Sequence, residues 1–383
     1  MRIPRFELDH WLAKYEFASP PIRYNLASST GPNWTLGDLL ALGNEASLKG
    51  LGDLRLSYAP PQGSDALRRQ VAALHDVDPD WVIITTGASE ALSALYCLAA
   101  EPGASITLPF PSFPAMPVMA RAWGMSVSTY KLDRADGFRQ SAERVLAAVR
   151  ESARLVLVNT PHNPTGAVMP PAEIARVAAS LEQRLIPLVV DEVYHPLYHG
   201  ASAPVRSAAN IPNTIVVGDL SKALSLPGLR VGWLIDRDAR RRERLIDLRS
   251  YFTISGSPLT EAIAAHALAN RETILGRLRA VTTSNLQVSR DFMSAHEDTL
   301  DWVPPTGGTT VFPWLRDGSD ARALCTTLAS AGVLLAPGDT FDAPEHFRLG
   351  FGAQAEGFAK ALEIVSDTLR APRTVNVVAG AQR

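Results

Sequence analysis

The stretch that decides the fold is Leu155-Val156-Leu157-Val158-Asn159-Thr160-Pro161-His162-Asn163-Pro164-Thr165-Gly166. It joins a short, uninterrupted apolar run to a polar turn that is rich in proline. Four further apolar runs occur at residues 81–85, 105–108, 188–190 and 214–217. These runs are mostly β-branched and hardly interrupted by polar residues, which is typical of strands buried on both faces of a parallel sheet.

Amphipathic stretches separate these runs. Residues 66–74, 90–100, 142–149 and 172–184 have the spacing of helices with one apolar face. Alternating strands and helices predict an α/β fold, in which a mostly parallel sheet carries helices on both faces.

The two flanks of this pattern differ from it. Residues 1–45 read as irregular, whereas the chain after Pro258 reads first as helices and then as short strands and helices. We therefore predict a large domain over residues 46–257 and a smaller α+β domain built from both chain ends, 1–45 and 258–383. The tail from Ala371 onward is weakly patterned, and we expect it to be loose.

The composition excludes several classes of protein. Of the 383 residues, 46% are hydrophobic and 20% are charged, which suits a large buried core and not a disordered chain. Lysine and arginine number 37 against 39 acidic residues, so the chain has no overall positive field for nucleic acid or an anionic membrane. The only two cysteines, Cys97 and Cys325, provide neither a disulfide framework nor a cysteine-based zinc site. We expect no metal.

Targeting and membrane segments are also not expected. The N-terminal residues lack the apolar core of a signal peptide, and the longest uncharged run, residues 102–120, contains prolines that a membrane helix would not tolerate. We therefore expect a cytoplasmic protein with no membrane partner.

Polar residues that could bind a ligand or take part in a reaction follow the apolar runs. In an open parallel sheet, ligands bind beyond the carboxyl ends of the strands. After residues 81–85, Gly87-Ala88-Ser89 opens a helix whose N–H groups suit an anion such as phosphate. The turns after the other strands carry a flat aromatic ring, an amide, a carboxylate, a phenol, an amine and a guanidinium: Phe113, Asn163, Asp191, Tyr194, Lys222 and Arg230.

With these motifs in place, the chain resembles the class I and II aminotransferases, which are pyridoxal-phosphate enzymes of fold type I. The resemblance covers about residues 50–350. It is most specific in His162-Asn163-Pro164-Thr165-Gly166, in Asp191-Glu192-Val193-Tyr194, and in Ser221-Lys222 with Arg230 eight residues later. It implies pyridoxal 5'-phosphate as cofactor, and amino-group transfer between an amino acid and a 2-oxo acid.

The resemblance also implies a role for each matching residue. Lys222 would carry the cofactor as an aldimine and move the α-proton of the substrate. Asp191 would keep the ring nitrogen protonated, and Asn163 and Tyr194 would bind the phenolic oxygen of the ring. Phe113 would stack on the ring. The phosphate would be held by Gly87, Ala88, Ser89, Ser221 and Arg230.

Two further residues match family positions that serve the substrate and the partner subunit. Arg348, in His346-Phe347-Arg348-Leu349-Gly350, would bind the α-carboxylate of the substrate, next to Asn163. Tyr58 would reach the phosphate of the neighbouring subunit, which implies a homodimer with shared active sites. The substrate side chain would lie against residues 24–34, 113–116 and 251–257 and against the partner subunit.

Two positions depart from the family pattern: Met116, where some members have a polar residue, and Asp219. A phosphate-binding serine is usual three residues before the lysine, and this chain has Asp219 there. A carboxylate that faced the phosphate would repel it, so Asp219 either pairs with Arg230 or turns away and caps its own loop, which is the arrangement we favour.

Two alternatives to transamination are considered. The N-terminal Phe6-Glu7-Leu8-Asp9-His10-Trp11-Leu12 resembles a branch that includes capreomycidine synthase-like enzymes, which use the same cofactor for elimination, replacement or cyclisation on an amino-acid side chain. The effector domain of a transcription regulator would need a DNA-binding domain in front. Only about 45 residues precede the sheet domain, so we expect an enzyme.

Overall fold

A computed structural model describes residues 3–43, 50–200 and 205–371. The strands in these residues are β1 (Tyr24–Asn25), β2 (Val82–Thr85), β3 (Ser105–Phe110), β4 (Ser126–Lys131), β5 (Ala153–Asn159), β6 (Leu188–Asp191), β7 (Thr214–Asp219), β8 (Gly232–Asp236), β9 (Leu300–Asp301), β10 (Thr310–Val311), β11 (Trp314–Leu315), β12 (Val333–Leu334), β13 (Ala336–Pro337) and β14 (Phe347–Gly350). The α-helices are α1 (Glu7–Glu16), α2 (Leu36–Leu40), α3 (Asp65–His75), α4 (Gly87–Ala99), α5 (Ala115–Ala122), α6 (Ala142–Ala147), α7 (Pro171–Glu182), α8 (Ala239–Phe252), α9 (Pro258–Ala269), α10 (Arg271–Ala295), α11 (Ala321–Ser330) and α12 (Phe358–Arg370).

The predicted α/β fold is confirmed. Seven of the described strands form one sheet in the order β2-β8-β7-β6-β5-β3-β4. The five strands β4, β3, β5, β6 and β7 are parallel to one another, and β8 runs antiparallel between β2 and β7. The order of β5, β6 and β7 matters for function, because their carboxyl ends lie side by side.

Each face of this sheet packs against helices. Along β5, β6 and β7, odd-numbered residues such as Leu157, Val189 and Val217 share one core with α4, whereas the even-numbered residues lie in the larger core on the other face. This alternation follows from the two-residue period of a strand. Since both faces are covered, both sets of alternating residues are apolar, and the strands appear in the sequence as continuous apolar runs.

Two strands of the sheet have no counterpart among the five apolar runs. β4 is an edge strand with several exposed side chains, so it carries too few apolar residues to form a run. β8 is fully buried, and its composition does not reveal that it runs antiparallel to its neighbours.

The expectation that residues 1–45 are irregular is wrong. This region contains α1, β1 and α2. The buried or partly buried Leu8, Trp11, Leu12 and Tyr15 have the i, i+3, i+4, i+7 spacing of an amphipathic helix, so the signal for α1 was present. β1 pairs in parallel with β12, which brings segments from the two ends of the chain together.

The division into domains at residues 46–257 stays a prediction, and its first boundary, like the tail after Ala371, falls outside the described residues. No helix in the described part of the chain is long and apolar enough to cross a membrane. In the same residues, no group of three or more His, Cys, Asp or Glu side chains is placed to hold a metal ion.

Candidate active site

Three polar residues end adjacent strands on the same face of the sheet. Asn159 ends β5, Asp191 ends β6 and Asp219 ends β7, and Asn159 is directly paired with Asp191 in the strand register. All three have odd numbers, so they lie on the α4 side of the sheet. Together with α4 they border a cleft of about 190 Å³. Its lining residues are Ala88, Ser89, Leu92, Phe113, Met116, Asn159, Asn163, Asp191, Val193, Tyr194, Asp219, Ser221, Lys222, Pro227 and Arg230.

One end of the cleft is built for an anion. α4 begins at Gly87, whose φ of +76° favours glycine. A Cβ atom on Gly87 would lie 2.7 Å from Arg230 Nη2, so the absent side chain lets the guanidinium approach the start of the helix. Ser89 and Ser221 line the same cleft. Free N–H groups, a guanidinium and two hydroxyls are a donor set suited to phosphate.

Asp219 is directed to its own loop. Its Oδ1 atom accepts a hydrogen bond from the Ser221 backbone N–H at 2.9 Å, and the residue is buried. In the described part of the chain no ion pair joins it to Arg230, whose Nη1 atom donates to Pro227 O at 3.2 Å. Asp219 thus has the loop-capping geometry, while its side chain still borders the cleft.

Asp191 is the most deeply buried charge-bearing group in the cleft. It is 4% exposed, and Oδ1 accepts the Val193 N–H at 3.2 Å. Burial raises the pKa of Asp191 to about 7, and the neighbouring carboxylate of Asp219 adds to this rise. A cation placed against Asp191 would reverse the effect, because opposite charge stabilises the ionised carboxylate.

The amine of Lys222 lies at the centre of the site. Its Nζ donates a hydrogen bond to Ser29 Oγ at 2.9 Å. Burial lowers the pKa of Lys222, and the carboxylate of Asp219 partly opposes this effect. An amine with a lowered pKa is more often unprotonated at neutral pH, so it can act as a nucleophile and as a base.

A second set of polar groups faces the lysine from the flanks of the chain. Arg348 is 2% exposed; its Nη1 donates to Asn163 Oδ1 at 3.2 Å and its Nη2 to Ala27 O at 2.7 Å, while Nε has no partner among the described residues. The hydroxyl of Tyr194 is also buried without a hydrogen bond there, although polar side chains of Ser29 and Thr309 lie near it. Buried donors of this kind need a partner, and a bound ligand can supply it.

The aromatic wall of the cleft is fixed by a neutral histidine. Phe113 lines the cleft and packs edge-on against Phe6, with ring centroids 5.7 Å apart. His162 Nε2 lies 3.1 Å from Pro111 O and Nδ1 lies 2.8 Å from Thr165 Oγ1. Burial lowers the pKa of His162 to about 3, so the ring is neutral and donates to Pro111 while accepting from Thr165. It ties the turn of Asn163 to the loop of Phe113.

The structure thus brings nearly all the sequence-derived candidates together. Those that border the cleft are Ala88, Ser89, Phe113, Asn163, Asp191, Tyr194, Ser221, Lys222 and Arg230; Gly87 lies behind Arg230, and Arg348 is bonded to Asn163. Tyr58 is the exception. It is 80% exposed and does not line the cleft of its own chain.

Two residues of the site were not identified from the sequence. Asn159 Oδ1 accepts the Asn163 N–H at 2.8 Å, and its Nδ2 donates to Asp191 O at 3.1 Å, so it joins two functional turns. Its place at a strand end was a sufficient signal. Ser29 lies in the segment 24–34 that is expected to face the substrate, but no local signal singles it out, because its contact with Lys222 spans 193 positions.

These residues fit pyridoxal phosphate. The open start of α4 beside Arg230 suits a phosphate, and Asp191 suits a protonated ring nitrogen. The unpartnered hydroxyl of Tyr194 suits an oxygen on the ring, and Lys222 provides the amine that an aldehyde requires. The side chain of Phe113 can cover one ring face.

Comparisons with known proteins agree with this arrangement. The family model "Aminotransferase class I and II" matches residues 31–365. Capreomycidine synthase of Streptomyces vinaceus is 30% identical over 96% of this chain and 94% of its own length. A probable aspartate/prephenate aminotransferase of Thermus aquaticus is 30% identical over 85% and 87% of the two chains. The crystal structure of a PLP-dependent aminotransferase from Streptococcus suis superposes with a TM-score of 0.88 at 28% identity, covering 97% of this chain and 98% of that one.

Proposed function

The chain belongs to the class I and II aminotransferases, a family of pyridoxal-phosphate-dependent transferases, and from this premise we propose that it moves an amino group between an amino acid and a 2-oxo acid. The observation that carries the proposal is the convergence of Lys222, Asp191 and the Arg348–Asn163 pair on one cleft. When bound, pyridoxal phosphate supplies an electron sink for negative charge at the substrate Cα.

Arg348 would bind the α-carboxylate of the substrate. Its guanidinium has five N–H donors, and Asn163 and Ala27 use two of them. The unpartnered Nε is free to pair with a carboxylate, and a bidentate contact fixes which bond of the Cα atom faces the cofactor ring. Burial lowers the pKa of Arg348, so a bound anion also relieves an unfavourable buried charge.

Lys222 would move the proton. Burial lowers its pKa and so favours the unprotonated amine, which can accept the α-proton and return it at another atom. Asp191 would hold the cofactor ring nitrogen protonated, because a buried carboxylate stabilises an adjacent cation. Leu92, Met116 and Val193 give the cleft an apolar lining that limits water.

A second candidate function is elimination or cyclisation on the substrate side chain. The match to capreomycidine synthase over 96% of the chain favours it. The N-terminal segment favours it too: Phe6, directly before α1, packs against Phe113, and Asp9 in α1 lies near Lys222 and Arg348. Burial raises the pKa of Asp9, and these two cations oppose the rise. A carboxylate on this side would suit a substrate with a positively charged side chain.

A half-reaction separates the two candidates. We expect that a donor amino acid added without a 2-oxo acid converts the bound cofactor to its amine form, releases one 2-oxo acid per site and frees no ammonia. Donors should include acidic, apolar and basic amino acids, followed by the cofactor absorbance and by an ammonia assay. Repeated release of ammonia, or a cyclic product with the cofactor left as the aldehyde, would establish the second candidate instead.

The assembly is also part of the proposal. Leu56, Tyr58 and Tyr251 are each at least 80% exposed in the isolated chain, which suits coverage by a second copy. Tyr58 would donate its hydroxyl to the cofactor phosphate of the partner subunit. We expect light scattering at micromolar concentration to give twice the mass of the chain.

Tyr58→Phe should then weaken cofactor binding about tenfold, the scale of one hydrogen bond to a charged group. The cofactor dissociation constant, measured by fluorescence titration, checks this result, with Tyr15→Phe as the control. A monomer with full activity would exclude the shared site.

A further inference from the structure

Residues 26–29 form a short segment whose backbone is bonded to the C-terminal part of the chain and to the neighbouring Asn25. The Leu26 N–H donates to Leu334 O at 2.9 Å, and Leu26 O accepts from the Gly350 N–H at 2.6 Å. Asn25 Oδ1 shapes the turn by accepting the N–H groups of Ala27 and Ser28 at 3.0 and 3.1 Å. The segment therefore has little freedom to move.

This segment contacts two residues of the cleft. Ala27 O accepts from Arg348 Nη2 at 2.7 Å, and Ser29 Oγ accepts from Lys222 Nζ at 2.9 Å. Ser29 is 8% exposed, and its own carbonyl accepts from Thr309 Oγ1 at 2.8 Å. One rigid element thus holds both the candidate carboxylate-binding arginine and the candidate reactive lysine.

Several charged groups surround the Lys222 amine. They are Asp219 and Asp191 from the strand ends, Arg348 from β14, Arg230 from the phosphate end and Asp9 from α1. Among the described residues, however, the hydrogen bond of Nζ goes to the Ser29 hydroxyl and to none of these carboxylates. A hydroxyl can accept from a protonated amine and donate to a neutral one, so it can hold the lysine in both states.

We propose that Ser29 is a positioning residue for Lys222, which holds the free amine at the cleft and stabilises its protonated form. This inference rests on the proposed function for its catalytic meaning. The contact itself belongs to the chain without its cofactor, so it is tested there first.

The test measures the protonation of Lys222 in the cofactor-free protein. The amine is labelled with acetic anhydride across a pH series, and the rate for the Lys222 peptide is read by mass spectrometry. In Ser29→Ala the midpoint should fall by about one pH unit, because the protonated amine loses its acceptor. Ser29→Cys keeps the size but is a weak acceptor, so it should fall similarly.

Ser28→Ala is the matched control, because its hydroxyl contacts Thr30 Oγ1 at 2.9 Å and not the lysine. Its midpoint should equal that of the wild type. A midpoint that is unchanged in Ser29→Ala, a Ser29→Cys midpoint equal to wild type, or an equal fall in Ser28→Ala would each overturn the proposal. Circular dichroism checks that all three variants are folded.

The cofactor-loaded enzyme gives a second readout. Ser29→Ala should lower kcat about tenfold with little change in KM, since the amine is misplaced while the Arg348 contact is kept. If the wild type did not bind pyridoxal phosphate, the proposed function would fail while the labelling result still stood. If the cofactor bound normally and labelling was unaffected by Ser29→Ala, only the role of Ser29 would fail.

Discussion

Replacing Lys222 with alanine should leave the protein folded and lower kcat by about 10⁴-fold or more, the upper end of what one acid–base group contributes. The expected loss is this large because the same amine would attach the cofactor and move the α-proton. The substitution removes a buried amine whose pKa burial lowers, so the folded state gives up no favourable charge. The measurement is the transamination rate together with the thermal unfolding midpoint.

Lys131→Ala is the control for this variant. Lys131 is largely exposed, pairs with Asp133 at 2.8 Å and does not line the cleft. Its removal should change turnover less than twofold, because exposed ion pairs contribute little. A Lys222→Ala protein with substantial turnover would contradict the assignment of the reactive amine.

Asp191→Asn should keep the cofactor bound and lower turnover by about 100-fold or more. Asparagine preserves the shape but not the charge, so the ring nitrogen of the cofactor would no longer be held protonated. Turnover and the cofactor dissociation constant are measured on the same preparation. A nearly normal rate would mean that Asp191 serves only to bind the Val193 N–H.

The same substitution has a second effect, on the cofactor-free protein. Burial raises the pKa of Asp191 from 3.8 to about 7, so the folded state binds this proton more tightly than the unfolded state. Its contribution to stability is therefore present below about pH 4 and is lost as the pH rises through about 7. Asp191→Asn should unfold at a higher temperature than the wild type at pH 8 and at nearly the same temperature at pH 4.

Two other carboxylates affect the interpretation of this pH experiment. Burial also raises the pKa of Glu192 to about 7, so part of the pH dependence should remain in Asp191→Asn. In the partly exposed Asp133, a hydrogen bond from Lys131 lowers the pKa, so the effect on stability has the opposite sign. Asp133→Asn should therefore give no gain in stability at pH 8. An equal gain in both variants would contradict the assigned burial effect.

Much of the site could be predicted because strands obey a simple rule. Asp191 and Lys222 follow buried apolar runs, and the ends of parallel strands meet at one edge of the sheet. The odd numbers of Asn159, Asp191 and Asp219 place all three on the face of α4, which a count along each strand can show. The local motifs then gave the family and the cofactor class.

The remaining features depend on contacts between distant segments. The partners of Ser29 and Arg348 lie 193 and 321 positions away, at Lys222 and Ala27, and no local pattern specifies such pairs. The antiparallel direction of β8 is likewise a property of the assembled sheet. The apolar spacing of α1, in contrast, does predict a helix, although the segment is rich in aromatic residues.

The most direct test of the account is to locate the attachment of the cofactor. The protein is loaded with pyridoxal 5'-phosphate, reduced with borohydride and digested, and the labelled peptide is identified by mass spectrometry. The account predicts a single label on Lys222, whose amine lies at the centre of the cleft beside Ser29. A label on Lys14, Lys131 or Lys360 with Lys222 unmodified would contradict it.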